Sequence, residues 1–149
     1  MGLTIYCKKT GHGIDMGYGG FSRLRDKIAE LAGEPFGSHV KKLGQNPYMF
    51  SSLTMTPEQR KALFDEYNAE TQRMVDEKLV SIKIVDFCLQ PDCGGKIRYG
   101  ACKEILRIIG DYDNNVIYGY CGCTNPAKFA DFKAILQECV DNRCMMVWK

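Results

Sequence analysis

The sequence has no apolar stretch approaching the ~18 residues that cross a bilayer as a helix, which argues against a membrane-spanning role. It has little net charge: 20 basic and 18 acidic side chains are intermixed, for a formal charge of +2. No run of Lys and Arg tracks a phosphate backbone, so nucleic acid is not supported as a partner. Histidine is scarce, with His12 and His39 the only two, and a cysteine nucleophile would have to draw its base from that pair. There is no C-x2-C pair. G-x-G-x-x-G fails at Met16 and again at Ser22, and no G-K-[ST] occurs, so neither a dinucleotide nor a P-loop fingerprint is present. The opening residues place Lys8 and Lys9 after a short apolar run with no signal-type apolar segment behind them. Tyr6 stands where N-myristoylation requires Ser or Thr. A cytoplasmic protein is expected.

What the chain does have is sulfur. Cys7, Cys88, Cys93, Cys102, Cys121, Cys123, Cys139 and Cys144 are many for a reducing compartment, where they read as buried thiols, metal ligands or redox groups rather than a disulfide framework. At 149 residues, without repeat, low-complexity tract or linker, the chain is read as a single domain, 1–149.

Hydrophobic periodicity predicts a helix-rich α+β fold with a small, mainly antiparallel sheet. Residues 3–8 suit a short strand. A glycine-dense loop from Gly11 to Gly20 follows, then a helix with Phe21, Leu24, Ile28 and Leu31 on one face, Ser22 as N-cap and Gly33 at its end. Residues 34–55 read as loop and surface, with a short helix near Ser38 to Leu43. Thr56-Pro57-Glu58-Gln59 predicts a capped helix start, and Leu63, Tyr67, Met74 and Leu79 mark its buried face. From Val80 to Phe87 the pattern fits helix and strand nearly equally, with a lean towards a continuing helix. Pro91 to Gly95 is a turn. A helix carrying Cys102, Ile105, Leu106 and Ile109 should end at Gly110, Val116 to Tyr120 reads as a strand, and Asn125-Pro126 caps a last helix bearing Phe129, Phe132, Leu136, Cys139 and Val140. Met145 to Trp148 completes the pattern as a strand.

Four cysteines form the candidate metal set: Cys88, Cys93, Cys121 and Cys123. Cys93-Gly94-Gly95-Lys96 resembles a zinc knuckle, in which glycine frees backbone amides to approach sulfur, and Cys121-Gly122-Cys123 adds a second pair for tetrahedral zinc. Cys102 and Cys139, on apolar helical faces, read as core thiols. The Cys121/Cys123 pair before a helix start also permits a redox reading. A ligand-binding reading of the glycine loop places His12 in it, with Arg23 and Arg25 available to an anion. A calcium loop around Gly95 fails, because of Gln90, Asp92, Gly94 and Ala101 at the ligand positions only Asp92 supplies a carboxylate.

The opening Met-Gly-Leu-Thr-Ile-Tyr, together with the Asp92-Cys93-Gly94-Gly95-Lys96-Ile97 turn, Cys102 and a following helix, resembles small uncharacterised proteins of phages, prophages and Gram-positive bacteria. The resemblance implies a phage or prophage setting and no activity. The leading functional reading is a non-enzymatic binding or protein-interaction domain. Its exposed patch would draw on Tyr48, Met49 and Phe50 or on Met145, Met146 and Trp148. The alternatives are a zinc-stabilised domain and a small enzyme with its site near the glycine loop.

Overall fold

The computed structural model describes residues 2–45, 55–120, 122 and 124–149. Strand β1, Thr4–Cys7, has the period-2 alternation of a half-buried strand, with Ile5 and Cys7 turned inward. It pairs antiparallel with β2, Gly13–Asp15, and with β4, Met146–Trp148; β3, Gly95–Ile97, flanks β4. The sheet order is β2-β1-β4-β3. The register sets Ile5 opposite Trp148 and Cys7 opposite Met146, so the first and last strands form the middle of the sheet. Ile5, Cys7, Ile97, Met146 and Trp148 make one buried face, and the helices cover it.

Those helices are α1 (Tyr18–Ala32), α2 (Phe36–Gln45), α3 (Pro57–Asp76), α4 (Ile82–Leu89), α5 (Tyr99–Ile109) and α6 (Phe129–Asp141). The result is a helix-rich α+β fold with a small antiparallel sheet, as the periodicity predicts. Trp148 is its largest fully buried side chain, packed on Phe21 and Phe87, with its indole N–H donated to the Pro91 carbonyl. Gly95 is required there. A Cβ at that position would run into the indole ring of Trp148.

Several expectations are corrected. Helix α1 begins at Tyr18 behind Gly17, whose φ of 76° turns the chain, and not at Ser22. Gly20 lets that early turn lie against the Tyr118 carbonyl, which explains why a glycine-rich stretch stays helical. The glycine loop also contains β2; the short helix expected near Ser38 to Leu43 is present as the longer α2, and the surface expected there includes the buried Phe36, His39 and Val40. Tyr48, Met49 and Phe50 lie outside the described residues. Met146 and Trp148 are core residues and offer no exposed patch.

The expected capping box at Thr56 and Gln59 is present. The helix does not run on from Leu79, however: α3 stops, the chain turns, and Ser81 caps α4 by accepting from the Lys83 N–H. Val116 to Tyr120 forms a single bridge between Ile117 and Lys128 and no strand: the Tyr118 and Gly119 N–H groups both bond the Ala127 carbonyl, so the ladder does not continue. The last helix starts at Phe129, not after Asn125-Pro126; the Asp131 carboxylate accepts from the Lys128 N–H at 2.8 Å.

Candidate functional site: a cluster of thiols

Two chain turns bring three cysteines together. The first follows β1: the Gly11 N–H bonds the Cys7 carbonyl at 2.8 Å, and the Cys7 N–H bonds the His12 carbonyl at 2.9 Å. This folds Lys9 and Thr10 back over the Cys7 sulfur, which receives hydrogen bonds from both backbone N–H groups and from the Thr10 hydroxyl. The second turn ends α6. The Cys144 N–H bonds the Cys139 carbonyl at 3.0 Å, the Arg143 N–H bonds the Val140 carbonyl, and Arg143 is left-handed with φ of 49°. That is a Schellman motif, which closes the last helical turn and sets the residue after the left-handed position over the residue five back. Cys144 therefore lies over Cys139. The antiparallel pairing of β1 with β4 brings Cys7 to the same place.

The sulfurs of Cys7, Cys139 and Cys144 all lie within 4.8 Å of one another, and those of Cys7 and Cys144 are 3.1 Å apart. Cys7 and Cys139 are buried, Cys144 half-buried. Behind them the Cys102 thiol on α5 hydrogen-bonds that of Cys139. Burial alone would push the Cys7 thiol up. The bonds from Thr10, Cys144 and Lys9 outweigh it and bring the group down to about 7. Its neighbours move the other way: the bond from Cys102 and then burial hold Cys139 far above the usual thiol range, and burial followed by Cys7 raises Cys144. The thiols thus concentrate one readily lost proton at Cys7.

Close to this cluster lies a small polar surface. His12 Nδ1 is 2.6 Å from the Glu138 carboxylate, and the Thr10 hydroxyl serves both that carboxylate and Cys7. Bonds from Thr10 and then His12 hold Glu138 below the usual carboxylate range. His12 itself faces solvent, with its side chain 56% exposed.

The residues singled out from the sequence are placed as follows. Arg23 is exposed, 5.8 Å above the Tyr118 ring. Arg25 is buried: its guanidinium lies over Phe21 at 4.2 Å and Trp148 at 5.3 Å, and its Nη1 donates to Asp92 at 2.8 Å. It holds the 91–95 turn against the core. No hydrogen bond or ion pair joins His12 to Arg23 or Arg25 among the described residues. Cys88 is buried on α4 with its thiol directed at the Arg25 carbonyl, and burial pushes it up to about 12. Cys93 is exposed beside the Tyr18 hydroxyl. Cys121 and Cys123 lie outside the described residues. Gln90, placed by the calcium alignment at a ligand position, pairs with both backbone groups of Lys96 and closes the turn.

Sequence reasoning assigned Cys102 and Cys139 to the core, and both are fully buried. It missed that Cys139 is also the hub of a thiol cluster. The signal was the Cys139-x4-Cys144 spacing, which matches the ends of a Schellman turn. Arg143 in place of the usual glycine concealed it. Compared with protein-family models, with curated proteins and with solved structures, the chain finds no match in any of the three.

Proposed function

We propose that this chain is a metal-stabilised binding domain that holds one zinc-class ion on Cys7, Cys139 and Cys144, with a fourth position left to a non-protein ligand such as water. The observation that carries this reading is the convergence of three sulfurs within 4.8 Å, one from the end of β1 and two from the turn that closes α6. Zinc–sulfur bonds of about 2.3 Å at tetrahedral angles put sulfurs roughly 3.8 Å apart, so the ion requires the Cys7–Cys144 pair to open slightly from 3.1 Å. The Lys9 and Thr10 amides supply the supporting hydrogen bonds that thiolate ligands need. Such an ion would tie β1 to α6 and to the approach to β4, and its binding energy would add directly to folding stability.

In this reading the domain is non-enzymatic and works in a reducing, cytoplasmic setting, in keeping with the resemblance to phage and prophage proteins. A protein-binding surface is favoured by Leu79 and Ile82, 38% and 50% exposed beside a 470 Å³ cleft between the α3–α4 junction and α5.

The test is metal analysis of protein purified without chelator, together with single serine variants. One zinc per chain is expected, lost in Cys7→Ser and Cys144→Ser and kept in Cys93→Ser. Eight free thiols with no bound metal would overturn the proposal. Metal that survives the first two variants but is lost with Cys93→Ser, Cys121→Ser or Cys123→Ser would move the site to the second set.

A further inference from the structure

The metal reading treats the three sulfurs as equivalent, but their surroundings differ. Cys7 is fully buried, Cys144 is half-buried, and the two sulfurs are 3.1 Å apart. A disulfide needs a separation of about 2.05 Å, so closing this pair asks for about 1 Å of sulfur movement. Cys139 is fully buried, in contact with Cys102 on its inner side. Of the three, only Cys144 is partly exposed, and only Cys7 has two backbone amides and a hydroxyl bonded to its sulfur.

We propose that Cys144 and Cys7 form an outer and an inner thiol that exchange with small-molecule disulfides, yielding a Cys7–Cys144 disulfide. In the first step Cys144 Sγ attacks one sulfur of the incoming disulfide. Its proton passes to solvent, the incoming S–S bond breaks, and one thiolate leaves and is protonated by solvent. In the second step the Cys7 thiol loses its proton to solvent, and its sulfur attacks Cys144 Sγ. The mixed S–S bond breaks and the second thiolate leaves. One disulfide and two protein thiols become one protein disulfide and two small thiols, so electrons and protons balance. The N–H groups of Lys9 and Thr10 assist the second step because they hold negative charge on Cys7 at the moment it attacks. Thiol accessibility sets the order, since a disulfide in solution cannot touch a fully buried Cys7.

This exchange does not rest on the metal reading. With an ion bound, the same oxidation would remove two of its ligands; without one, the pair closes directly. The substrate class is a disulfide of low molecular weight, for which glutathione disulfide is the probe.

The experiment treats the full, folded, chelator-stripped chain with glutathione disulfide, traps free thiols by alkylation, and maps the peptides by mass spectrometry. The expected product has lost two hydrogens, with the Cys7 and Cys144 peptides joined and Cys102 and Cys139 still alkylated after denaturation. In Cys7→Ser the first step proceeds and the second cannot, so a mixed glutathione disulfide accumulates on Cys144. In Cys144→Ser Cys7 gains neither adduct nor partner. Circular dichroism confirms that each variant is folded, and Cys144→Ala repeats the last arm if Cys144→Ser is not. A disulfide that joins Cys139 to either partner, or a folded Cys7→Ser protein with no adduct on Cys144, would overturn the proposal. Metal content is measured on the reduced protein separately, so a chain that binds zinc but does not exchange sinks only this inference, and one that exchanges without binding zinc sinks only the other.

Discussion

Helices α3 and α6 end in the same way with different chemistry. In each, a long basic side chain occupies the left-handed position, Lys78 with φ of 58° and Arg143 with φ of 49°. In each, the next residue bonds back five positions: the Leu79 N–H to the Met74 carbonyl at 2.9 Å, and the Cys144 N–H to the Cys139 carbonyl at 3.0 Å. The turn thus always brings a residue over the one five before it. In α3 that pair is Leu79 and Met74, an ordinary apolar contact at a helix end. In α6 it is two thiols, and β1 supplies a third. The geometry is generic; what makes one end a site is the identity of two side chains and the strand that passes beside them.

The comparison breaks most sharply with proline. Proline cannot adopt positive φ and lacks the N–H that bonds the carbonyl three residues back, so Arg143→Pro and Lys78→Pro should each cost about 3 kcal/mol in urea unfolding. If the proposed ion is bound, only Arg143→Pro should also lose it. Equal metal loss in both would show that the metal reports global stability and not the α6 turn.

A smaller effect comes from pH. The Cys7 thiol is lowered from 9.0 to about 7 in the folded chain, so between those values the native state binds fewer protons than the unfolded one. Its contribution is complete above 9 and is lost as pH falls through 7. Cys139 and Cys144 are raised and act with the opposite sign above 9. In metal-free protein the stability advantage of wild type over Cys7→Ser should widen from about pH 6 to about pH 8.5, by at most on the order of 2 kcal/mol. A flat difference over that range would remove the amide support from the argument. Cys88, pushed up to about 12, should show no change in this window.

Glycine substitutions should move stability less and in the other direction. Arg143→Gly and Lys78→Gly relieve a left-handed side chain and should each stabilise by about 1 kcal/mol, leaving the metal content unchanged. The smallest expected effect is none. Met74→Cys combined with Leu79→Cys recreates the α6 pair at the end of α3 but lacks a third thiol, and metal content should stay at the wild-type level.

Legibility in the sequence followed how local the cause was. Thr56-Pro57-Glu58-Gln59 places its own helix start because every partner is within four residues. The terminal strand, the helix with Cys102 and the apolar face of α6 were readable for the same reason. Ser22 misled because the helix entry depends on Gly17 and on a carbonyl nearly a hundred residues away at Tyr118. Val116 to Tyr120 has strand propensity, but the Tyr118 and Gly119 N–H groups share the Ala127 carbonyl, and β-propensity needs a regular ladder to be realised. The thiol site was the least legible part. Cys7 and Cys144 are separated by 137 positions, and no local pattern reveals a strand pairing of that range.

That separation has a consequence for how the molecule is made. A ribosome releases Cys7 early and Cys139 and Cys144 only after nearly all the intervening residues. Until β4 has emerged, β1 lacks its central neighbour and Cys7 has neither of its sulfur partners. Pairing over such a span carries a high contact order and is slow to form. An ion held by all three sulfurs would therefore mark a chain that has been made past Cys144, and one stalled before that point would lack the grip to retain it.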